Sequence, residues 1–191
     1  MKKIMFMLVA LLSVSVLSAG DSYWIWGADK VADGVSRTYL RLAVNVDDDV
    51  LSAEFFTIAD DAMEIYVNGS KPVPLSFFDQ KPARIKIRRY EFKDLLKKGK
   101  NQLAIIVINK GGPGGIIGKG SIKLANGKVI DLATNEQWKA ICAYQPGDHW
   151  KVAAFNDKAW KGACKLGDAS LKPWANMSDA VNFFGLPGGK K

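Results

Sequence analysis

Leu51 to Gly69 reads LSAEFFTIADDAMEIYVNG, and the fold turns on how this stretch is read. Leu51, Ala53, Phe55 and Thr57 alternate with Ser52, Glu54, Phe56 and Ile58, the period of two that suits a β-strand. Asp60-Asp61 interrupts the run, because an aspartate bonds its own backbone and favours turns over ladders. Met63, Ile65 and Val67 share one face of a second strand, opposite Glu64, Tyr66 and Asn68. Asn68-Gly69 ends it with two residues that accept the positive φ of a tight hairpin. Two such strands are not stable alone in water, so the remaining chain must supply a covering sheet.

Working outward, Thr38 to Val46 places Leu40, Leu42, Val44 and Val46 on one side and Tyr39, Arg41, Ala43 and Asn45 on the other. One dry and one wet face is the pattern of an antiparallel sandwich strand. Asp47-Asp48-Asp49 ends it as a solvated turn; its three carboxylates could also meet calcium, although EF-hand spacing is absent. Lys71 to Gln80, with Pro72 and Pro74, is an edge or loop segment. Ala83 to Arg89 alternates Ile85 and Ile87 with Arg84, Lys86 and Arg88, either a charged edge that deters aggregation or a surface for anionic polysaccharide. Glu91 to Lys98 has the spacing of a two-turn helix stopped by Gly99. Leu103 to Ile108 is apolar on both faces, so that strand belongs in the middle of the sandwich. Lys110 to Gly120, KGGPGGIIGKG, is not a phosphate loop: Pro113 stands where the first Walker glycine should be, and Gly120 follows Lys119 in place of Ser or Thr. Strands follow at Val129-Ile130 and from Trp138 to Ala143, with turns between them.

The ends and the composition set the class. Met1-Lys2-Lys3, the apolar run Ile4 to Leu17 and the small residues Ser18-Ala19-Gly20 form a secretory leader, too short for a membrane span. Residues 1–20 are thus a signal peptide, 21–185 one β-sandwich domain and 186–191 a flexible basic tail, which makes the mature protein secreted or periplasmic, with no membrane insertion after processing. Removing Lys2 and Lys3 lowers the formal charge by two from +8, a moderate excess that favours anionic surfaces or glycans without calling for nucleic acid. Cys142 and Cys164 are the two cysteines of an exported chain, which reads as a disulfide worth about 3 kcal/mol; the other reading is two buried thiols. Two cysteines and one histidine leave no structural zinc site.

The succession Trp24-Ile25-Trp26, Tyr39-Leu40-Arg41, Ala59-Asp60-Asp61 with Glu64 to Gly69, and Gly99 to Ala104 resembles the galactose-binding-like β-sandwich. It is most similar to the non-catalytic N-terminal modules of bacterial α-L-rhamnosidases and family 2 glycoside hydrolases. Gly114 to Ile117, Asn126-Gly127, Thr134 with Trp138-Lys139, Phe155 to Trp160 and Pro173-Trp174 extend the likeness over nearly the whole mature chain. The resemblance implies an all-β antiparallel jelly roll that carries no chemistry and works as a carbohydrate-binding or spacer module. It also implies that a structural calcium is found in some members, while no catalytic barrel follows here.

An enzyme is not expected: His149 is the sole histidine, and no G-x-S-x-G elbow exists. The leading expectation is a carbohydrate-binding module with Trp24, Trp26 and Trp150 as indole platforms for sugar rings and Asp60, Asp61 and Asn68 as polar partners. A core role for the Trp24–Trp26 pair and a turn-making role for the Asp60-Asp61 and Asn68 motif are the competing readings. The alternative function is a structural or protein-interaction sandwich in an extracellular or periplasmic assembly.

Overall fold

The computed structural model describes residues 21–28, 34, 36–72, 76–77, 87–176 and 178–184. The expected leader and basic tail, and most of the Ala83 to Arg89 alternation, lie outside these residues. The described strands are β1 (Trp24–Trp26), β2 (Ser36–Val46), β3 (Val50–Asp60), β4 (Ala62–Val67), β5 (Ser76–Phe77) and β6 (Arg88–Glu91). They continue with β7 (Gly99–Asn109), β8 (Gly115–Leu124), β9 (Val129–Asp131), β10 (Lys139–Ile141), β11 (Lys161–Gly162) and β12 (Cys164–Gly167). One short helix among the described residues, α1 (Ser178–Phe184), follows.

Every pairing is antiparallel, in two sheets: β12-β1-β8-β3-β6 with β9 on β8, and β11-β10-β2-β7-β4-β5. This is the all-β sandwich the alternating runs predict. One feature of the opening stretch differs: β3 and β4 do not pair with each other. Asp60-Asp61 is a corner that carries the chain from the first sheet to the second, where the Asp61 amide donates to Ile108 O at 3.0 Å. The Asn68-Gly69 turn is as expected, with φ of 52° and 84° and reciprocal bonds between Val67 and Ser70.

The core between the sheets takes Leu40, Leu42 and Val44 from β2, Phe55 from β3, Met63 and Ile65 from β4, and Leu103, Ile105 and Val107 from β7. Two glycines let β8 close on β3. A methyl on Gly118 would sit 2.3 Å from the Phe55 ring, and one on Gly120 would sit 2.1 Å from the Glu54 carbonyl oxygen.

The expected wet face of β2 is dry at its centre, because the segment after β10 folds back over it. Tyr39, Tyr66, Ala104, Trp150 and Trp160 form a second cluster there. Arg41, 2% exposed, holds this cover in place. Its Nε bonds Asp157 Oδ2 at 2.9 Å, its Nη2 bonds Gln102 Oε1 at 2.7 Å, and its Nη1 donates to the carbonyl of Trp150. The guanidinium also lies over the Phe155 and Trp160 rings, 5.0 and 5.9 Å from their centroids. The first sheet is covered on its outer side too, by Trp24, Ile58, Ile117, Ala169, Trp174 and Phe184.

The helix expected over Glu91 to Lys98 is a 3-10 turn at Lys93–Leu95. Asn101 ends it: its Oδ1 accepts from Lys97 N at 2.9 Å and its Nδ2 donates to Lys97 O at 2.6 Å, taking the backbone groups that a longer helix would use. Cys142 and Cys164 are both free thiols, so the bridge expected from the sequence is not formed in this structure. The Cys142 sulfur is instead turned onto Gly27, 2.8 Å from where a Cβ would stand.

Candidate functional site

One pole of the sandwich collects the ends of β3, β7 and β10 and the starts of β2, β4, β8 and β12, because Asp60 pairs with Gly115, Ser36 with Asn109 and Trp26 with Cys164. The Asp60-Asp61 corner sits at this pole, its two residues joined by a cis peptide and both half-buried. The structure fixes each carboxylate from the protein side. Trp174 Nε1 donates to Asp60 Oδ2 at 2.8 Å, and the Lys110 amide donates to Asp61 Oδ2 at 2.6 Å. The two carboxyls also share a side-chain hydrogen bond with each other.

Burial raises the Asp60 carboxyl to about 6, the Trp174 bond opposes this, and the neighbouring Asp61 adds to the rise. Two acids are therefore crowded together at a solvent-facing corner, a costly arrangement for a purely structural turn.

The β7–β8 loop, Lys110 to Gly114, completes the pole. Asn109 is fully buried and ties this loop into shape: its Oδ1 accepts from Gly111 N at 3.2 Å and its Nδ2 donates to Gly112 O at 3.0 Å. Gly112 has φ of 74°, which a side chain rarely adopts, and a Cβ on Gly114 would meet Asn109 Cγ at 2.8 Å. Two buried polar atoms lack a partner among the described residues: Ser36 Oγ, on the residue paired with Asn109, and Trp24 Nε1, on the indole stacked against Trp174.

The other predicted site residues fall elsewhere. Trp24, Trp26 and Trp150 are 0%, 1% and 2% exposed, so none is a platform for a sugar ring. Each is used inside: Trp24 stacks on Trp174 with ring centroids 4.0 Å apart, Trp26 fills the main core, and Trp150 packs edge-on to Tyr39 beneath the cover. The period-two pattern placed Trp24 and Trp26 together but carried no sign of the layers that bury them. Asn68 closes the far end of β4, away from the Asp60-Asp61 corner. Its side chain is spent on Leu95 O at 2.9 Å, Asn101 Oδ1 at 2.8 Å and the Gln102 amide at 2.9 Å, a structural pin. The Asp47 to Asp49 turn is tied by lysines, with Lys128 at 2.6 Å from Asp47 and Lys98 at 3.3 Å from Asp49. Among the described residues no group of three or more His, Cys, Asp or Glu side chains stands ready for a metal.

Three contributors were missed by sequence reasoning. Asn109 ends an apolar strand, Trp174 lies far along the chain, and Tyr144 follows Cys142 with no periodic signal. Among the described residues Tyr144 is the large exposed aromatic ring, at 68%, and the Arg37 guanidinium, on the residue paired with Ile108 next to Asn109, lies 5.7 Å from its centroid. It lies three residues past Ile141, the partner of Tyr39.

No family model matches the sequence. Over 169 residues the chain is 23% identical to an α-L-rhamnosidase of Streptomyces avermitilis, a match that takes in 86% of this chain and 16% of that enzyme. A crystal structure of S. avermitilis α-L-rhamnosidase complexed with L-rhamnose is similar with a TM-score of 0.66 and 23% identity, over 80% of this chain and 15% of that one. The apo lectin of Pleurotus ostreatus is similar with a TM-score of 0.68 and 25% identity, over 88% of this chain and 46% of the lectin chain. A lectin from the same fungus in complex with GalNAc reaches 0.62 at 22% identity, over 82% of this chain and 46% of that one. The chain is thus an all-β sandwich that resembles one module of α-L-rhamnosidases and part of a fungal lectin. It spans only a small part of the rhamnosidases it matches.

Proposed function

We propose that this chain is an exported, non-catalytic glycan-binding module that grips its sugar at the Asp60-Asp61 corner. The observation that carries the reading is the pair of adjacent, mutually bonded acids, each held from behind by a hydrogen bond from the protein, at the loop pole of a lectin-like sandwich. Carboxylate oxygens accept from neighbouring sugar hydroxyls, and charge-assisted bonds of this kind are about twice as strong as neutral ones. The fixed backs of both acids mean that little side-chain freedom is lost on binding.

The donor chemistry of this corner also fits calcium. The Asp60 and Asp61 carboxylates are hard ligands, and two crowded acids gain most from a neighbouring positive charge. With fewer than three acidic groups assembled, the coordination would be completed by backbone carbonyls, water or the sugar itself. A bound calcium would supply charge that polarises two adjacent hydroxyls, which Asp60 and Asp61 would orient. This reading replaces the indole ledge as the means of sugar binding.

L-rhamnose and GalNAc, the sugars in the neighbouring structures, are the first probes. Calorimetric titration with calcium is expected to show binding of at least one, weakened tenfold or more by chelation or by Asp61→Asn, with the circular dichroism unchanged. Absence of binding to both sugars and to a glycan panel, acidic glycans included, overturns the proposal. So does full binding by Asp61→Asn.

A further inference from the structure

We infer that Cys142 and Cys164 are an oxidisable dithiol, which a small-molecule disulfide converts into a covalent staple between the two sheets. The two residues are 22 positions apart in sequence, and each lies beside the Trp26-Gly27 step of the fold. Cys164 opens β12 directly opposite Trp26, and facing residues of an antiparallel pair have Cα atoms roughly 4.5–5.5 Å apart. Gly27 comes next after Trp26, and it is against Gly27 that the Cys142 sulfur rests, 2.8 Å from the position of a Cβ that glycine lacks. No side chain of Gly27 therefore stands between the thiols. Cys142 follows Ile141 at the end of β10 in the other sheet, so a bond between the two sulfurs would cross the sandwich.

The surroundings set the rate. Burial of the sulfur pushes the Cys142 thiol upward and the neighbouring Cys164 adds to this, against hydrogen bonds from Thr38, Gly27 and Trp26, so the thiolate fraction is low and exchange should quicken as pH rises. Cys142 is an exposed residue and Cys164 is half-buried, which leaves the pair open to a small oxidant.

The chemistry is thiol–disulfide exchange. One protein thiolate attacks a sulfur of glutathione disulfide, the S–S bond breaks, and one glutathione leaves as a thiolate and takes up a proton. The second protein thiolate then attacks the protein sulfur of the mixed disulfide and releases the other glutathione. Two protein S–H bonds are exchanged for one S–S bond, and the oxidant is reduced to two thiols.

The ring this closes, residues 142 to 164, contains Trp150, Asp157 and Trp160, the cover that Arg41 holds over the second sheet. Oxidation therefore restrains the cover in the unfolded chain, and a loop of this length should raise Tm by about 6–12 °C.

The test treats the purified full chain with glutathione disulfide and counts thiols after denaturation. The expected result is a fall from two thiols to none, a Cys142–Cys164 cross-link in the peptide map, the Tm rise, and reversal of all three by dithiothreitol. Cys142→Ser and Cys164→Ser should each retain a thiol that yields only mixed disulfide. An unchanged titre of two, mixed disulfides only, or cross-linked dimers from the unaltered chain would overturn the inference. None of these readouts depends on sugar binding.

Discussion

Replacing Asp60 by Asn tests the central electrostatic claim, that this carboxyl is held in a place where its charge is costly. The side chain keeps its shape, and its amide oxygen can still accept from Trp174 Nε1, so the perturbation is mainly the loss of an ionisable group. Burial and Asp61 move the carboxyl from its ordinary 3.8 to about 6. At ~1.4 kcal/mol per decade, discounted for solvent screening at this half-buried corner, this amounts to roughly 1–3 kcal/mol of native-state penalty at neutral pH. The sign follows from proton counts. Between pH 4 and 6 the folded chain keeps a proton that the unfolded chain has released, so this contribution is fully present below the unfolded value and is lost as pH rises through about 6. Urea denaturation in chelator should therefore show the wild type and Asp60→Asn equally stable near pH 4. By pH 7.5 the variant should be more stable by up to ~3 kcal/mol, or about 6–12 °C in Tm. Acids whose carboxyls are held low, such as Asp157 beside Lys139 and Arg41, act in both proteins and cancel in the difference. A stability difference that does not change with pH would refute the reasoning. Sugar binding should move the opposite way, abolished in the variant and fading in the wild type below about pH 6.

The cover over the second sheet should depend on Arg41: Arg41→Met removes the bonds to Asp157, Gln102 and Trp150, and denaturation should show a loss of ~3 kcal/mol, at the low end for a broken buried pair because Lys139 still meets Asp157 at 2.7 Å. Hydrogen exchange should rise most over residues 148 to 160. Asn68→Ala should cost about 1–3 kcal/mol in the same denaturation assay through its lost hydrogen bonds, while leaving sugar affinity unchanged. Tyr144→Ala should do the reverse, weakening sugar binding about 3–10-fold by calorimetry with no change in Tm, as loss of one exposed ring contact implies. Gly120→Ala forces a methyl onto the Glu54 carbonyl, so soluble yield and Tm should both fall sharply.

Much of the architecture was legible because alternation is a local signal. Leu40, Leu42 and Val44, and likewise Met63, Ile65 and Val67, face the core as their spacing demands. The Asn68-Gly69 turn was equally legible, since few residue pairs tolerate two successive positive φ angles. Alternation does not reveal which sheet a strand joins. The Asp60-Asp61 run looks the same as a hairpin turn or as a corner between layers, and only the pairing of β4 with β7 decides it. Nor does it reveal a third layer: Arg41 sits at a position that reads as solvent, yet a segment more than a hundred residues away closes over it. The tryptophans were misread for the same reason, because their burial depends on distant cover. The two acidic residues of the corner were found from local turn chemistry. Asn109 and Trp174 were not, because what joins them to that corner is strand register and a side-chain bond across the fold.

The stacking of Trp24 on Trp174 has an optical consequence. With centroids 4.0 Å apart and planes inclined by 18°, the two indoles are close enough for their excited states to couple, which should give a paired band in circular dichroism. Because one member of the pair donates its N–H to Asp60, the band should shift as that acid gains or loses its proton. The protein thus carries its own chromophore beside the corner, and a spectrometer can follow events there without any label.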